Sequence, residues 1–153
     1  MSQQGLHDPP DMTQIAFILL CHKDPEGVIA QTLRLTAAGD CVSIHFDARA
    51  NSADFARIRT ALAGNPQVTF ARKRLKCGWG EWSLVAATLQ ALRAAVEAFP
   101  GATHFYMLSG DCMPVKTAEY IRGRLERENV DYIESFDFYG SDWIKTGIKE
   151  ERL

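Results

Sequence analysis

Three clusters in this 153-residue chain combine residue types and spacing that could hold a polar ligand. The first is Ser109-Gly110-Asp111, which ends the apolar, aromatic run His104-Phe105-Tyr106-Met107-Leu108 and precedes Cys112-Met113-Pro114. This pattern predicts a buried strand that delivers a carboxylate to the open end of a sheet. In open α/β folds, ligands bind in the crevice outside the carboxyl ends of the strands. The second is Asp47, which closes Cys41-Val42-Ser43-Ile44-His45-Phe46 in the same manner. A carboxylate there accepts hydrogen bonds from ribose hydroxyls or a base N–H. Its plainer role is to close a turn before Ala48-Arg49. The third is Cys77-Gly78-Trp79-Gly80-Glu81-Trp82-Ser83. Trp79 offers a flat face for stacking, and the glycines let backbone approach a ligand closely. Glu81 or Ser83 is expected to cap the following helix. The alternative for this turn is a hydrophobic plug over the sheet end.

Two shorter motifs flank these clusters. Cys21-His22-Lys23-Asp24 follows an apolar run, so its backbone amides and His22 are placed to meet a nucleotide. The alternative is an ordinary strand-to-helix loop, with Asp24 at a helix N-terminus where the dipole favours it. Arg72-Lys73-Arg74-Leu75-Lys76 could help neutralise a diphosphate, although a solvated strand face is the more usual role of such a run. A metal site at Asp111 is not expected, because an Asp-x-Asp pair is lacking and the second position on is Met113. The four histidines, His7, His22, His45 and His104, have no metal-ligand spacing, and His45 and His104 are expected to pack within strands. There is no Gly-x-Gly-x-x-Gly fingerprint, Walker A loop or Gly-x-Ser-x-Gly elbow.

The elements that must position these residues alternate. Apolar runs predict strands over 14–20, 41–46, 68–70 and 103–108, with a further one starting at Asp131. Helices are predicted over 25–36, over 53–62 with Ser52 as cap, over 82–98 and over 117–128. The helix over 82–98 is the clearest, with Leu84, Val85, Thr88, Leu89, Leu92, Ala95 and Val96 recurring at helical spacing. Strand–helix alternation predicts an α/β fold with a mostly parallel sheet and helices on both faces.

Composition narrows the class. The chain is 46% hydrophobic and 24% charged with a net charge of −2, the profile of one ordinary globular domain without a basic footprint for nucleic acid. No apolar run reaches the ~20 residues of a membrane span. Residues 1–13 read as a disordered lead-in without the basic and apolar regions of a signal peptide, which favours a cytoplasmic setting. Cys21, Cys41, Cys77 and Cys112 form no C-x-x-C pair and are expected as free thiols.

Four blocks in order resemble the core-2/I-branching β-1,6-N-acetylglucosaminyltransferase family, which also includes peptide O-xylosyltransferases. They are 15–23, Ile44-His45-Phe46-Asp47, Trp79-Gly80-Glu81-Trp82-Ser83-Leu84-Val85, and 105–116 with its Ser-Gly-Asp-x-x-Pro-x-Lys pattern. The resemblance implies a GT-A-like, Rossmann-like fold and inverting transfer of a sugar from a UDP-sugar to a glycan or protein hydroxyl, with no essential metal or cofactor. It implies substrate contacts at Cys21 with its neighbour His22, at Asp47, at Trp79 and at Asp111; Ser83 and Gly110, in the same motifs, are expected to bind substrate beside them. It also implies that the catalytic glutamate and the diphosphate-binding basic residues lie in a second half of the domain, beyond Leu153. On that basis residues 14–153 are expected to be the donor-nucleotide part of a transferase, inactive alone and prone to aggregate. The competing expectation is a non-catalytic nucleotide- or carbohydrate-binding module.

Overall fold

The computed structural model describes residues 13–128 and 130–132. Eight elements alternate along the chain: β1 (Ile15–Cys21), α1 (Pro25–Ala37), β2 (Cys41–Phe46), α2 (Ser52–Leu62), β3 (Val68–Phe70), α3 (Trp82–Ala98), β4 (His104–Ser109) and α4 (Ala118–Glu128). The strands form one sheet in the order β3-β2-β1-β4, and every pair is parallel. The predicted elements are present within a residue or so. The strand expected from Asp131 is not formed at Asp131 and Tyr132, and its remainder lies outside the described residues, as do most of the lead-in and the end of the chain.

β1 reads Ile-Ala-Phe-Ile-Leu-Leu-Cys because it is central and packed on both faces. Its Ile15, Phe17 and Leu19 join Val42, Ile44 and Phe46 of β2 on the face covered by Val28 and Leu35 of α1 and by Ile58 and Leu62 of α2. Ala16 and Ile18 face the other way, against Ala91 and Ala95 of α3. The buried positions of α3 are all alanine, at 87, 91, 94 and 95, so this helix can lie close to the sheet. The approach is close enough for the Ser43 hydroxyl to donate to the Ala91 carbonyl at 2.7 Å.

The ends of the helices follow local chemistry. Asp24 sits in the left-handed region at φ 50 and its carboxylate accepts the Gly27 N–H, capping α1. Asn51, not Ser52, caps α2: its side chain accepts the Ala53 N–H, and Ser52 is already the first helical residue. Below the sheet, buried Asp40 accepts the Ile15 N–H and pairs with Arg122 at 2.9 Å, which ties α4 to the turn between α1 and β2.

β4 departs from expectation. It was expected as a buried strand, yet among the described residues it is one of the two sheet edges, opposite β3. Phe105, Tyr106 and Met107 are exposed on it, and α4 buries none of its side chains.

Candidate functional site

Three parallel strands end side by side, and the chain leaving two of them folds back on the third. The Asp47 N–H donates to the Cys21 carbonyl at 2.9 Å, and the Gly110 N–H donates to the Leu20 carbonyl at 2.9 Å. The residues after β1, β2 and β4 therefore share one rim. Neighbouring strands lie about 5 Å apart, so the backbones at Asp47 and Asp111, two strands apart, are separated by roughly 10 Å. Between the ends of β1 and β4 is a hollow of ≈ 50 Å³ lined by Leu20, Cys21, His22, Lys23 and Ser109-Gly110-Asp111. A much larger open concavity lies on the exposed face of β4 and α4, away from this rim.

Asp47 fills its plainer role and adds a second one. Oδ1 accepts the Arg49 N–H at 2.7 Å, which closes the turn, and Oδ2 accepts the Cys77 N–H at 3.1 Å. A carboxylate has about four lone-pair sites, so acceptor capacity remains on both oxygens. The same carboxylate thus fastens the tryptophan-bearing loop to the end of β2.

His45 and Arg74 complete that fastening. The His45 Nε2 accepts the Leu75 N–H at 2.9 Å, which requires a neutral ring protonated on Nδ1. Burial lowers its pKa, against the opposing pull of Asp47. The Arg74 guanidinium donates to the Phe46 carbonyl at 2.9 Å and the Asp47 carbonyl at 2.7 Å, and lies 4.3 Å from the Phe55 ring centroid. The sequence gives a faint signal for His45, a polar residue in a wholly buried strand. Arg74 is lost there within a basic run. That run divides in the structure: Arg74 supports the loop, Arg72 pairs with Glu97 at 2.7 Å, and Lys73 and Lys76 are exposed.

The loop thus held presents Trp79 at 98% exposure, with Trp82 at 73%. An indole with almost no contact of its own is no plug over the core. Gly80 turns the chain at φ 71. The Ser83 hydroxyl accepts the Gly78 N–H at 2.9 Å and donates to Glu81 at 3.1 Å. Ser83 therefore braces the loop, and neither it nor Glu81 gives α3 a side-chain cap.

At the other end of the rim, Ser109-Gly110-Asp111-Cys112 is a tight turn. The Cys112 N–H donates to the Ser109 carbonyl at 3.1 Å, and the Asp111 N–H to the Ser109 hydroxyl at 3.3 Å. A side chain at Gly110 would place its Cβ 2.9 Å from that of Cys21, so only glycine fits without a shift. Asp111 is exposed and pairs with Lys23 at 3.3 Å. The Cys112 thiol is also exposed, and its hydrogen bond with the Ser109 hydroxyl lowers its pKa.

Cys21 lines the hollow, but its thiol turns inward. It falls on the same face of β1 as Ile15, Phe17 and Leu19, so its thiol lies in the core and donates to the His45 carbonyl at 3.7 Å. Burial pushes its pKa up to about 12, leaving a neutral thiol whose role is packing. His22, by contrast, is exposed at the rim. Among the described residues, no three His, Cys, Asp or Glu side chains converge as metal ligands, and no helix is long and apolar enough to cross a membrane.

The family model for the Core-2/I-Branching enzyme matches residues 15–151, nearly the whole chain. The chain belongs to the Core-2/I-branching enzyme family. Comparison with curated proteins gave no match. The parallel sheet with helices on both faces agrees with the GT-A-like fold of the Core-2/I-branching enzymes. Membership assigns glycosyltransferase chemistry in general terms, with a nucleotide-sugar donor and an acceptor.

Proposed function

We propose that the rim is the nucleoside side of a UDP-sugar site, in an enzyme that transfers N-acetylglucosamine or xylose to an acceptor hydroxyl with inversion. The observation that carries this reading is the placement of Asp47 after β2 and of the Ser109–Asp111 turn after β4 at the same end of the sheet, with the loop that presents the exposed Trp79 tied to the Asp47 carboxylate through the Cys77 N–H.

Each residue then has a distinct task. Trp79 stacks on the uracil ring, and Asp47 accepts from the base N–H or a ribose hydroxyl through its remaining lone pairs. Lys23 brings positive charge to the hollow beside the diphosphate, and Asp111 holds a sugar hydroxyl at the far end. His22 and Gly110 contribute the walls between them. Inverting transfer needs a general base to take the acceptor proton while the oxygen attacks the anomeric carbon. In this reading, side chains rather than a metal meet the charge on the departing diphosphate. This reading assigns nucleoside recognition to the described residues and assigns neither the base nor the rest of that charge clamp among them.

Calorimetric titration of the chain with UDP tests the proposal. Saturable heat is expected, and Trp79→Ala should weaken binding about tenfold, since stacking on an aromatic contributes about 1–3 kcal/mol per base. Trp79 is 98% exposed, so its removal leaves the fold intact. Absence of heat, or equal affinity in the variant, contradicts the assignment.

A further inference from the structure

Gln31 is a buried amide on the core-facing side of α1, between Val28 and Leu35, and is 1% exposed. Its Nε2 donates to the Ser109 carbonyl at 3.3 Å and also to the Cys112 carbonyl. Two carbonyls face one end of the amide, so that end must be the donor. Its Oε1 has no partner among the described residues. A leucine here would spare the core an unpaired acceptor, so local packing does not explain the amide. The hydrogen bonds it donates do.

The two carbonyls belong to the first and last residues of the Ser109–Cys112 turn, which carries Asp111 at its third position. We infer that Gln31 is a positioning residue: it clamps both ends of this turn from beneath and thereby sets where the Asp111 carboxylate stands relative to Lys23 and the hollow. Calling this turn part of the donor cleft rests on the function proposed above. The clamp itself rests only on geometry. Gly110 keeps the turn pressed against β1 from the side, and Gln31 is the contact that spans its ends from α1. Opening the turn would swing Asp111 away from the sheet ends without disturbing β1 or β2.

Amide hydrogen exchange on the whole chain, read residue by residue by NMR, tests this assignment. Gln31→Leu should lower the protection of the Gly110 and Cys112 amides about tenfold, the loss expected for a hydrogen-bonded contact of this kind, and leave Leu19 of β1 unchanged. Gln31→Glu should show the same local loss at neutral pH, where an ionised carboxylate would face two carbonyls. Part of the protection should return on acidification, after correction for intrinsic exchange, because a protonated carboxyl can donate one bond. Unchanged protection in Gln31→Leu, or equal loss at Leu19 and Gly110, would make Gln31 an ordinary core residue and overturn the assignment. Should Gln31→Leu fail to fold, the Gln31→Glu recovery decides: recovery confined to the turn supports the clamp, and its absence rejects it. Titration of the parent chain with UDP keeps the two readings apart, since a lack of binding removes the donor assignment and leaves the exchange data to judge Gln31.

Discussion

β2 and β4 have equally strand-like sequences and opposite surroundings. β2, Cys-Val-Ser-Ile-His-Phe, includes a serine and a histidine, yet all six residues are buried. β4, His-Phe-Tyr-Met-Leu-Ser, is richer in large apolar side chains, yet Phe105, Tyr106 and Met107 are exposed. The difference lies in the neighbours. β2 is paired on both edges and sandwiched between α3 and the α1–α2 layer, so its polar atoms must find partners: the Ser43 hydroxyl reaches Ala91, and His45 reaches Leu75. β4 is paired only with β1 among the described residues. An apolar run records a tendency to be covered. Whether it is covered depends on what the rest of the chain places there.

The largest expected effect exploits this contrast. Phe46→Ala should destabilise the chain by about 3–5 kcal/mol, the usual cost of emptying a phenylalanine site in a packed core. Met107→Ala, at 64% exposure, should cost less than ~1 kcal/mol. Urea unfolding of the two variants gives both numbers, and similar losses would mean that β4 is as well packed as β2.

A smaller effect comes from His45. Its pKa is lowered in the folded chain, so below the ordinary value of 6.5 the unfolded chain binds a proton that the folded chain resists. The neutral ring's contribution is therefore complete above that pH and is lost as pH falls below it towards the folded pKa. Protonation would also remove the acceptor for the Leu75 N–H and loosen the loop that carries Trp79. Urea midpoints measured through this window should fall more steeply for the parent chain than for His45→Gln. Parallel curves would show that His45 does not sense pH in this way.

The fold was legible because βα alternation and continuous apolar runs depend on short stretches of chain. Every strand and helix expected before residue 129 is present, with ends shifted by a residue where a cap competes, as at Asn51. The rim was legible for a related reason: carboxylates and glycines that end strands must emerge at one end of a parallel sheet. Side-chain direction was harder to read. Cys21 looked like a rim residue from its position, but the period-two alternation of β1 turned its thiol into the core. Some contacts between distant segments left no local trace. Arg74 beneath the tryptophan loop and Gln31 beneath the Ser109–Cys112 turn act on residues from 27 to 81 positions away.

The central claim is that one rim, at the carboxyl ends of β2, β1 and β4, receives the donor nucleotide. Amide chemical-shift mapping of the chain during a UDP titration tests it most directly. The account predicts saturable shifts at residues 21–23, 47–49, 77–80 and 110–112, with the amino ends of the strands silent. Shifts confined to the exposed face of β4 and α4, or none at saturating UDP, would contradict it.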